Sequence, residues 1–433
     1  MQRLIYFILI IASLCSVSWC IYRDIKIEKQ YTGDLRNRIV GARLQKDGIA
    51  PYFYKWKKGD STRYYDPNNF DTLKVSNITA TPFLHQLFYP IADLSQRKIS
   101  KIWLAVEYLL LGLMVILAFS LAKTTQQRLA VIITVSLFLL TQAWKGQVSV
   151  GQVYLLIPFF SLFFFYSVTK NHKIFAPIAG ISAALLLLIR PNTIFFLLPF
   201  FILVKKYTSA YMSILFASLL LVVILTLIPS QNRLYWKSYR LAMEEQLKSH
   251  QSLGATKQEN EPNPDYQDWE GWSSKEITKE YEKSPYDFPK EHGNIFVFVN
   301  NAFHTKLPLW LLSLTALLAM LALALLFYRY TTPISKVNLY SIAIFAFLIY
   351  MLTDIFSPVH RFLYYGVQWL FPLFLVAACF EKKYLWIYGC IITGIIFNSI
   401  GLRFIPMENT LGEYIIFLFL IIFIFKYKPN PSV

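Results

Sequence analysis

Twelve apolar runs occupy about half of this chain, and they leave few folds open to it. A helix needs about 20 mostly apolar residues to cross a bilayer. Apolar and aromatic residues make up 56% of the chain and charged residues only 15%, a balance that soluble proteins do not have. The sequence therefore predicts an all-α polytopic membrane protein with about 12 transmembrane helices. The runs lie near residues 4–22, 102–122, 129–144, 153–169, 174–189, 192–204, 209–229, 307–327, 339–356, 362–380, 384–402 and 413–425.

The positive charges indicate how these segments are oriented. Short cytoplasmic loops carry an excess of Lys and Arg. If the N-terminus is inside, each inner connection carries two such residues, as Lys123 and Arg128 do between the second and third runs. The short outer connections carry one each: Lys145, Arg190, Arg361 and Arg403. We therefore expect an inner-membrane protein whose N- and C-termini are both cytoplasmic.

Two long polar segments then lie outside, and they set the predicted domain organisation. Most carboxylates fall in these segments or at outer helix ends, so we expect the protein to act at its outer, periplasmic face. Both segments mix Tyr, Trp and Phe with charged residues, which favours folding over disorder. The predicted division is 1–22 as the first transmembrane helix, 23–101 as the first outer loop, 102–229 as helices 2–7, 230–306 as the second outer loop, 307–425 as helices 8–12 and 426–433 as a cytoplasmic tail.

The charge and the cysteines exclude several functions. A net charge of +17 suggests nucleic-acid binding in a soluble chain, but here the Lys and Arg residues flank membrane runs, which is their ordinary place. We therefore predict no nucleic-acid partner. All four cysteines lie inside apolar segments, so neither a disulfide framework nor a zinc site is predicted. They are Cys15, Cys20, Cys379 and Cys390.

The first outer loop begins with a candidate catalytic acid. Residues 35–44 have helical spacing, Gly48 is a natural helix stop, and Asp34 stands where an N-cap would. Asp34 can be a helix cap alone, or it can be a general base that the start of the helix holds rigidly. The two roles are compatible. Further on, 82–94 is apolar but short and bracketed by prolines, which predicts an interfacial or re-entrant helix.

Several motifs in this order resemble glycosyltransferase family 87, whose members use polyprenyl-phosphate sugars and have GT-C architecture. The resemblance covers about residues 20–205 and, thinly, 350–380. The motifs are Asp34 after the first span, Gly48-Ile49-Ala50-Pro51-Tyr52, the segment 82–94, Gly151-Gln152-Val153-Tyr154, Leu188-Ile189-Arg190-Pro191 and Ser357-Pro358-Val359-His360-Arg361. The chain departs from the family pattern at Arg36 and Arg38 in place of an aromatic pair, at Tyr154 in place of Asn, at Arg190 in place of Lys, and in an insertion over 55–78.

The resemblance implies a membrane hexosyltransferase with a GT-C helical bundle, and mannose as the donor sugar. Asp34 is the predicted catalytic base, which takes the proton of the acceptor hydroxyl. Planar guanidinium groups grip phosphate oxygens, so Arg190 and Arg361, with His360 beside them, are the predicted donor-phosphate ligands. The candidates for substrate binding are Arg38, Lys145 and Gln152. No metal or other cofactor is predicted, because arginines can neutralise one phosphate; the partners are membrane lipid, the polyprenyl-phosphate sugar and a lipid or glycan acceptor.

Other interpretations remain open at this point. The arginines at helix ends can simply snorkel to the interface. Glu107 and Asp354, two acids within predicted spans, can serve as partners of those arginines. The chain can also be a multi-pass transporter or flippase, although transporters place polar groups near the bilayer midplane, whereas here they gather at one face. A non-catalytic partner of a glycan polymerase would tolerate loss of Asp34.

Overall fold

Helices make up all the regular structure found in the described part of the chain, which is a computed structural model. It describes residues 2–28, 32–57, 59–66, 74–170, 172, 174–204, 211–252, 270, 294–305, 307–331, 338–358, 361–400 and 407–427. These residues contain 17 α-helices and no strand. The predicted all-α fold is confirmed.

The helices α1 to α17 follow the apolar runs and the polar segments between them. In chain order they are Gln2–Glu28, Gly33–Lys46, Pro82–Phe88, Gln96–Leu121, Thr125–Phe138, Gln142–Val150, Leu156–Thr169, Phe175–Ile189, Ile194–Val204, Tyr211–Leu227, Ser230–Ser252, Ile295–Phe303, Leu309–Thr331, Leu339–Ile355, Leu370–Ala378, Leu385–Ile400 and Glu408–Lys426. Short 3₁₀ helices lie at Pro51–Phe53, Thr62–Tyr64, Pro191–Thr193, Leu363–Trp369 and Lys382–Tyr384.

The lengths of the helices indicate fewer membrane crossings than the apolar runs of the sequence do. Four segments are individually long and apolar enough to cross a membrane: Tyr6–Ile27, Gln96–Leu121, Leu309–Tyr330 and Glu408–Lys426. Two further pairs qualify only together, α5 with α6 at a bend of 61° and α10 with α11 at 90°, which gives up to six among the described residues. The protein is an integral membrane protein. The predicted twelve crossings are not confirmed, because several apolar helices have 17 residues or fewer and at about 1.5 Å per residue fall short of a core about 30 Å thick.

Small residues let the apolar helices pack closely. Helices α8 and α10 pack together, and a Cβ added at Gly180 would lie 2.6 Å from that of Ala217. Helices α16 and α17 meet in the same way, since a Cβ at Gly394 would lie 2.7 Å from the carbonyl oxygen of Gly412. Close backbone approach at small residues is the usual basis of helix association in membranes. Further contacts, among them those of α7 with α8, α9 with α14, α1 with α5 and α5 with α15, belong to one continuous apolar core.

The described part of residues 23–101, the segment predicted as the first outer loop, is folded. Helix α2 ends as predicted before Gly48, whose φ of +78° turns the chain. Val40, Leu44 and Tyr52 share a small buried cluster with Ala242 of α11, so the two segments predicted as outer loops pack on each other where the second one begins. Helix α3 falls within the predicted interfacial segment and begins at the predicted Pro82.

Candidate functional site

Asp34 lies in the first turn of α2 and is not its N-cap. The helix begins at Gly33, so Thr32 is the N-cap residue. The Thr32 hydroxyl makes no capping hydrogen bond and pairs with Ser100 Oγ at 2.7 Å. The predicted N-cap assignment of Asp34 was therefore wrong by two positions, because the helix starts before it. A carboxylate in the first turn is still stabilised by the helix dipole.

Gln152 and Arg38 hold the carboxylate of Asp34 in one orientation. The Gln152 amide donates from Nε2 to Asp34 Oδ2, and its Oε1 accepts from Arg38 Nη2 at 2.7 Å. Arg38 also donates to the backbone carbonyl of Asp34, one turn earlier in the same helix. Asp34 Oδ1 makes no hydrogen bond with the described residues, and the side chain is half-buried. One carboxylate oxygen is thus fixed, while the other remains able to accept a proton.

Gly151 explains why a glycine precedes Gln152. It ends α6 in the left-handed region, with φ +66° and ψ +50°, where a side chain is strained. A Cβ at this position would lie 2.6 Å from Cβ of Leu35 in α2. The Gly-Gln pair therefore packs directly against the helix that carries Asp34.

Buried side chains behind Gln152 fix its backbone. Its carbonyl oxygen accepts from Trp103 Nε1 at 3.0 Å and from Gln147 Nε2. The same Gln147 nitrogen donates to Glu107 Oε1 at 2.8 Å. Glu107 therefore supports the Gly-Gln turn, and the alternative that it pairs with Arg190 or Arg361 is wrong.

Arg190 follows α8 directly and is fully engaged by neighbouring side chains. Its Nη2 lies 2.6 Å from Asp354 Oδ1, as one of the sequence interpretations had it. Its Nε donates to Asn192 at 2.9 Å, and its Nη1 donates to Gln368 Oε1 at 3.5 Å. Each of the three nitrogens thus has a partner, and Asp354 balances the charge.

Arg361 is buried and keeps one edge of its guanidinium group unused. Its Nη1 lies 2.6 Å from Glu413 Oε2, which also accepts from Trp369 Nε1 at 2.8 Å. Its Nε and Nη2 are buried without a hydrogen-bond partner in the part of the chain described. Buried donors are rarely left unpaired. Nε and Nη2 lie on one edge of the guanidinium group, and such an edge can donate to two oxygens of one phosphate or carboxylate.

Tyrosine rings connect the arginines to Gln152. The Tyr365 ring lies 5.0 Å from the Arg190 guanidinium and 5.6 Å from that of Arg361. Tyr154, two residues after Gln152, lies 4.3 Å from Tyr365 between centroids and 4.8 Å from the Arg190 guanidinium. This role of the tyrosines was not predicted from the sequence. The adjacent tyrosines after Arg361 were the only signal, and that pattern also occurs at membrane interfaces.

These contacts, together with the short chain segment from Gln152 to Tyr154, join five of the seven predicted site residues in one cluster. The five are Asp34, Arg38, Gln152, Arg190 and Arg361. Lys145 is exposed on α6, and no described contact links it to the cluster, so its role stays a prediction. His360 lies outside the described residues. Among the described residues there is no group of three or more His, Cys, Asp or Glu side chains that could hold a metal ion.

The neutral side chain of His85 packs against α2. The ring of His85 in α3 packs on Gly41, where a Cβ would lie 2.7 Å from Cε1. Its Nδ1 lies 3.2 Å from Gln45 Oε1. Burial, and to a lesser degree the charge of Arg38, lower the pKa of His85 from 6.5 to about 3. The imidazole therefore stays uncharged at neutral pH, which the close contact with α2 requires.

Comparison with known proteins gives one family. Residues 79–268 match glycosyltransferase family 87. No curated protein matches the chain. The Archaeoglobus fulgidus oligosaccharyltransferase in the apo form is a similar solved structure, with 12% identity, a TM-score of 0.44, and coverage of 98% of this chain and 56% of that one. The archaeal oligosaccharyltransferase AglB from Archaeoglobus fulgidus, in complex with an inhibitory peptide and a dolichol-phosphate, has 13% identity, a TM-score of 0.41, and coverage of 99% and 57%.

The chain spans little more than half the length of these two proteins. The family match, by contrast, includes α3 to α11 and with them the Gly-Gln turn and Arg190. It overlaps most of the region in which the sequence motifs were found. The predicted resemblance to glycosyltransferase family 87 is thereby confirmed over residues 79–268.

Proposed function

We propose that the protein transfers a sugar from a polyprenyl-phosphate donor to a lipid or glycan acceptor at the outer face of the inner membrane, by a single inverting displacement. Mannose is the proposed sugar, because the family resemblance implies it. We also propose that the chain has the GT-C architecture, twelve membrane crossings and cytoplasmic termini. The observation that carries it is a carboxylate with one free oxygen in the same contact cluster as a buried arginine with one free edge.

Asp34 acts as the general base. The Gln152 amide occupies Oδ2, so Oδ1 is the oxygen that receives the proton of the acceptor hydroxyl. Arg38 secures the orientation of that amide through Oε1. General-base assistance by a positioned carboxylate contributes about 10²–10⁴-fold to a rate. The base is thus held by a neighbour that cannot itself take the proton.

Arg361 binds the donor phosphate. Its Nε and Nη2 can each donate to one phosphate oxygen, while Nη1 stays with Glu413. Charge-assisted hydrogen bonds of this kind contribute about 1.5–3 kcal/mol each. In the reaction the acceptor oxygen forms a bond to C1 of the sugar, and the bond from C1 to the phosphate oxygen breaks. The electron pair leaves with the polyprenyl phosphate, whose added charge Arg361 stabilises.

Arg190 contributes mainly through its position. Its nitrogens already contact Asp354, Asn192 and Gln368, so phosphate binding there would require it to exchange a partner. It lies over Tyr154 and Tyr365, the rings that lead from Gln152 to Arg361. We therefore assign Arg361 the direct contact with phosphate, and Arg190 the support of the aromatic wall beside it. His360 remains a proposed third donor.

The test is sugar transfer in membranes that contain wild-type protein or Asp34→Asn. Radiolabelled mannose is supplied as synthetic polyprenyl-phosphate mannose, and product is measured in lipid and glycan acceptors. Asp60→Asn is the matched control, since Asp60 is an exposed aspartate of the same outer loop whose hydrogen bonds are local. We expect product with wild type and Asp60→Asn, and a loss of about 10²-fold or more with Asp34→Asn.

Full turnover in a folded Asp34→Asn variant would refute the assignment of the base. If none of the three proteins gives product, other polyprenyl-phosphate sugars are supplied in the same assay. Transfer of another sugar would correct the donor and keep the mechanism. Movement of the intact lipid-linked sugar across the membrane without transfer would instead support the transporter interpretation.

A further inference from the structure

Glu270 of the second outer loop is completely buried against the first outer loop. Its Oε1 lies 2.6 Å from Nη1 of Arg36 and 2.6 Å from Nη1 of Arg43, both in α2. Its Oε2 accepts from the backbone N–H of Gln96, the first residue of α4, at 2.6 Å. One carboxylate therefore joins two guanidinium groups and the start of a membrane helix.

The two arginines also fasten α2 to the backbone of its own loop. Arg36 donates to the carbonyl oxygen of Tyr65 at 2.7 Å. Arg43 donates to those of Ala92 at 2.7 Å and Leu94 at 2.9 Å. Both guanidinium groups are buried, so their charges need a buried counter-charge, and Glu270 provides one.

Asp34 and the arginines face opposite sides of α2. With 3.6 residues per turn, Arg36 and Arg43 share one face, about 180–200° around the axis from Asp34. Arg38 lies about 40° from Asp34, on the face that meets Gln152. The helix is therefore held on one side by the Gly-Gln turn and on the other by Glu270. A shift of α2 on the side that contacts Glu270 would move the Asp34 carboxylate relative to Gln152.

We propose that Glu270 is a positioning residue for the transfer reaction, through which the second outer loop sets the placement of α2 and hence of Asp34. The inference rests on the proposed function for its effect on catalysis, but not for its effect on α2. Misplacement of a catalytic group by about 1 Å can cost 10²-fold in rate. Because Glu270 touches neither Asp34 nor Gln152 in the described contacts, its effect is expected in kcat and not in KM for the donor.

The experiment compares Glu270→Gln with Glu245→Gln in the full-length protein. Glu245 is an exposed glutamate of α11 paired with Lys248, so the same chemical change there leaves the buried arginines untouched. We measure kcat, KM, the melting temperature and hydrogen exchange of the 33–46 amides. For Glu270→Gln we expect kcat to fall about tenfold to 10²-fold with KM within about twofold, and faster exchange in α2. Glu245→Gln should match wild type in all four.

A double variant separates positioning from general destabilisation. If Glu270 acts through Asp34, adding Glu270→Gln to Asp34→Asn should lower the residual transfer by less than twofold. A further tenfold loss in the double variant would overturn the inference, as would wild-type kcat in Glu270→Gln. A fall in kcat that is matched by the loss of folded protein would overturn it too.

Failure of the proposed function gives a different pattern. In that case Asp34→Asn transfers sugar as well as wild type does, and the kinetic part of the inference falls with it. Hydrogen exchange then decides the remaining part. Faster exchange of the 33–46 amides in Glu270→Gln would still support control of α2 by the second loop, and unchanged exchange would overturn it.

Discussion

Replacing Gly151 by alanine should damage both the stability and the turnover of this protein. The residue has φ +66° and ψ +50°, and its α-carbon faces Leu35. The change adds one methyl group in a backbone region that side chains rarely adopt. It does so at the turn that presents Gln152 to Asp34.

The expected loss of stability in Gly151→Ala has two separate causes. A left-handed conformation costs a residue other than glycine about 1–2 kcal/mol. Forcing a methyl group to within 2.6 Å of the Leu35 Cβ is overpacking, which costs about 1–3 kcal/mol. If the costs add, the free energy of unfolding falls by about 2–5 kcal/mol. Any relief by movement of the turn shifts Gln152, so kcat should fall by about 10–10²-fold.

Two other glycines separate these costs. Gly59 has φ +103° and open space around it, so Gly59→Ala carries the strain without the collision. Gly112 is inside α4 with nothing near its α-carbon, so Gly112→Ala should be neutral or stabilising by about 0.5–1 kcal/mol. The assay is unfolding by SDS in mixed micelles, with mannose transfer measured on the same preparations.

We expect Gly112→Ala to be the most stable of the three variants, Gly59→Ala to be intermediate and Gly151→Ala to be the least stable. Equal losses at Gly59 and Gly151 would show that packing against Leu35 is unimportant. Wild-type turnover in Gly151→Ala would refute the view that this turn holds Gln152 in place for Asp34.

Two further predictions concern His85 and Arg361. Because the folded pKa of His85 is about 3 against 6.5 when unfolded, the unfolded chain binds more protons between these values, and stability should fall by about 1.4 kcal/mol per unit as pH drops below 6.5. His85→Gln should flatten this dependence relative to the exposed control His172→Gln, and coinciding profiles would contradict it. Arg361→Lys keeps a cation beside Glu413 but loses the paired Nε and Nη2 donors, so KM for the donor should rise about 10–10²-fold. An equal effect of Arg240→Lys, on the exposed face of α11, would disprove that specificity.

Much of the fold and part of the site were predictable from the sequence. Apolar runs predict helices because burial in lipid requires internally paired backbone groups, and a helix occupies part of each run. The Asp34, Gln152 and Arg190 motifs were recognisable because each has a local sequence context. Crossing number was less predictable, since hydropathy does not reveal a bend such as that between α5 and α6.

Partners far apart in sequence could not be predicted. Glu270 lies more than 220 residues from Arg36 and Arg43, and nothing around it marks it as buried. Glu413 begins the last apolar run, and nothing in that position indicates that it pairs with Arg361. Long-range ion pairs depend on which helix ends meet, and a single sequence does not carry that information. The pairing of Asp354 with Arg190 could be anticipated, because intramembrane charges are rarely left alone.

The bend between α5 and α6 has a consequence for how the protein enters the membrane. At the break, the carbonyl oxygen of Leu139 accepts from Arg23 Nη2 at 3.0 Å and from Cys20 Sγ at 3.4 Å, both in α1. A backbone group without a partner in lipid costs several kcal/mol. The broken segment therefore enters the membrane at low cost only when α1 supplies these two donors. Because α1 precedes α5 and α6 in the chain, the donors of α1 are synthesised before the carbonyl oxygen that they satisfy.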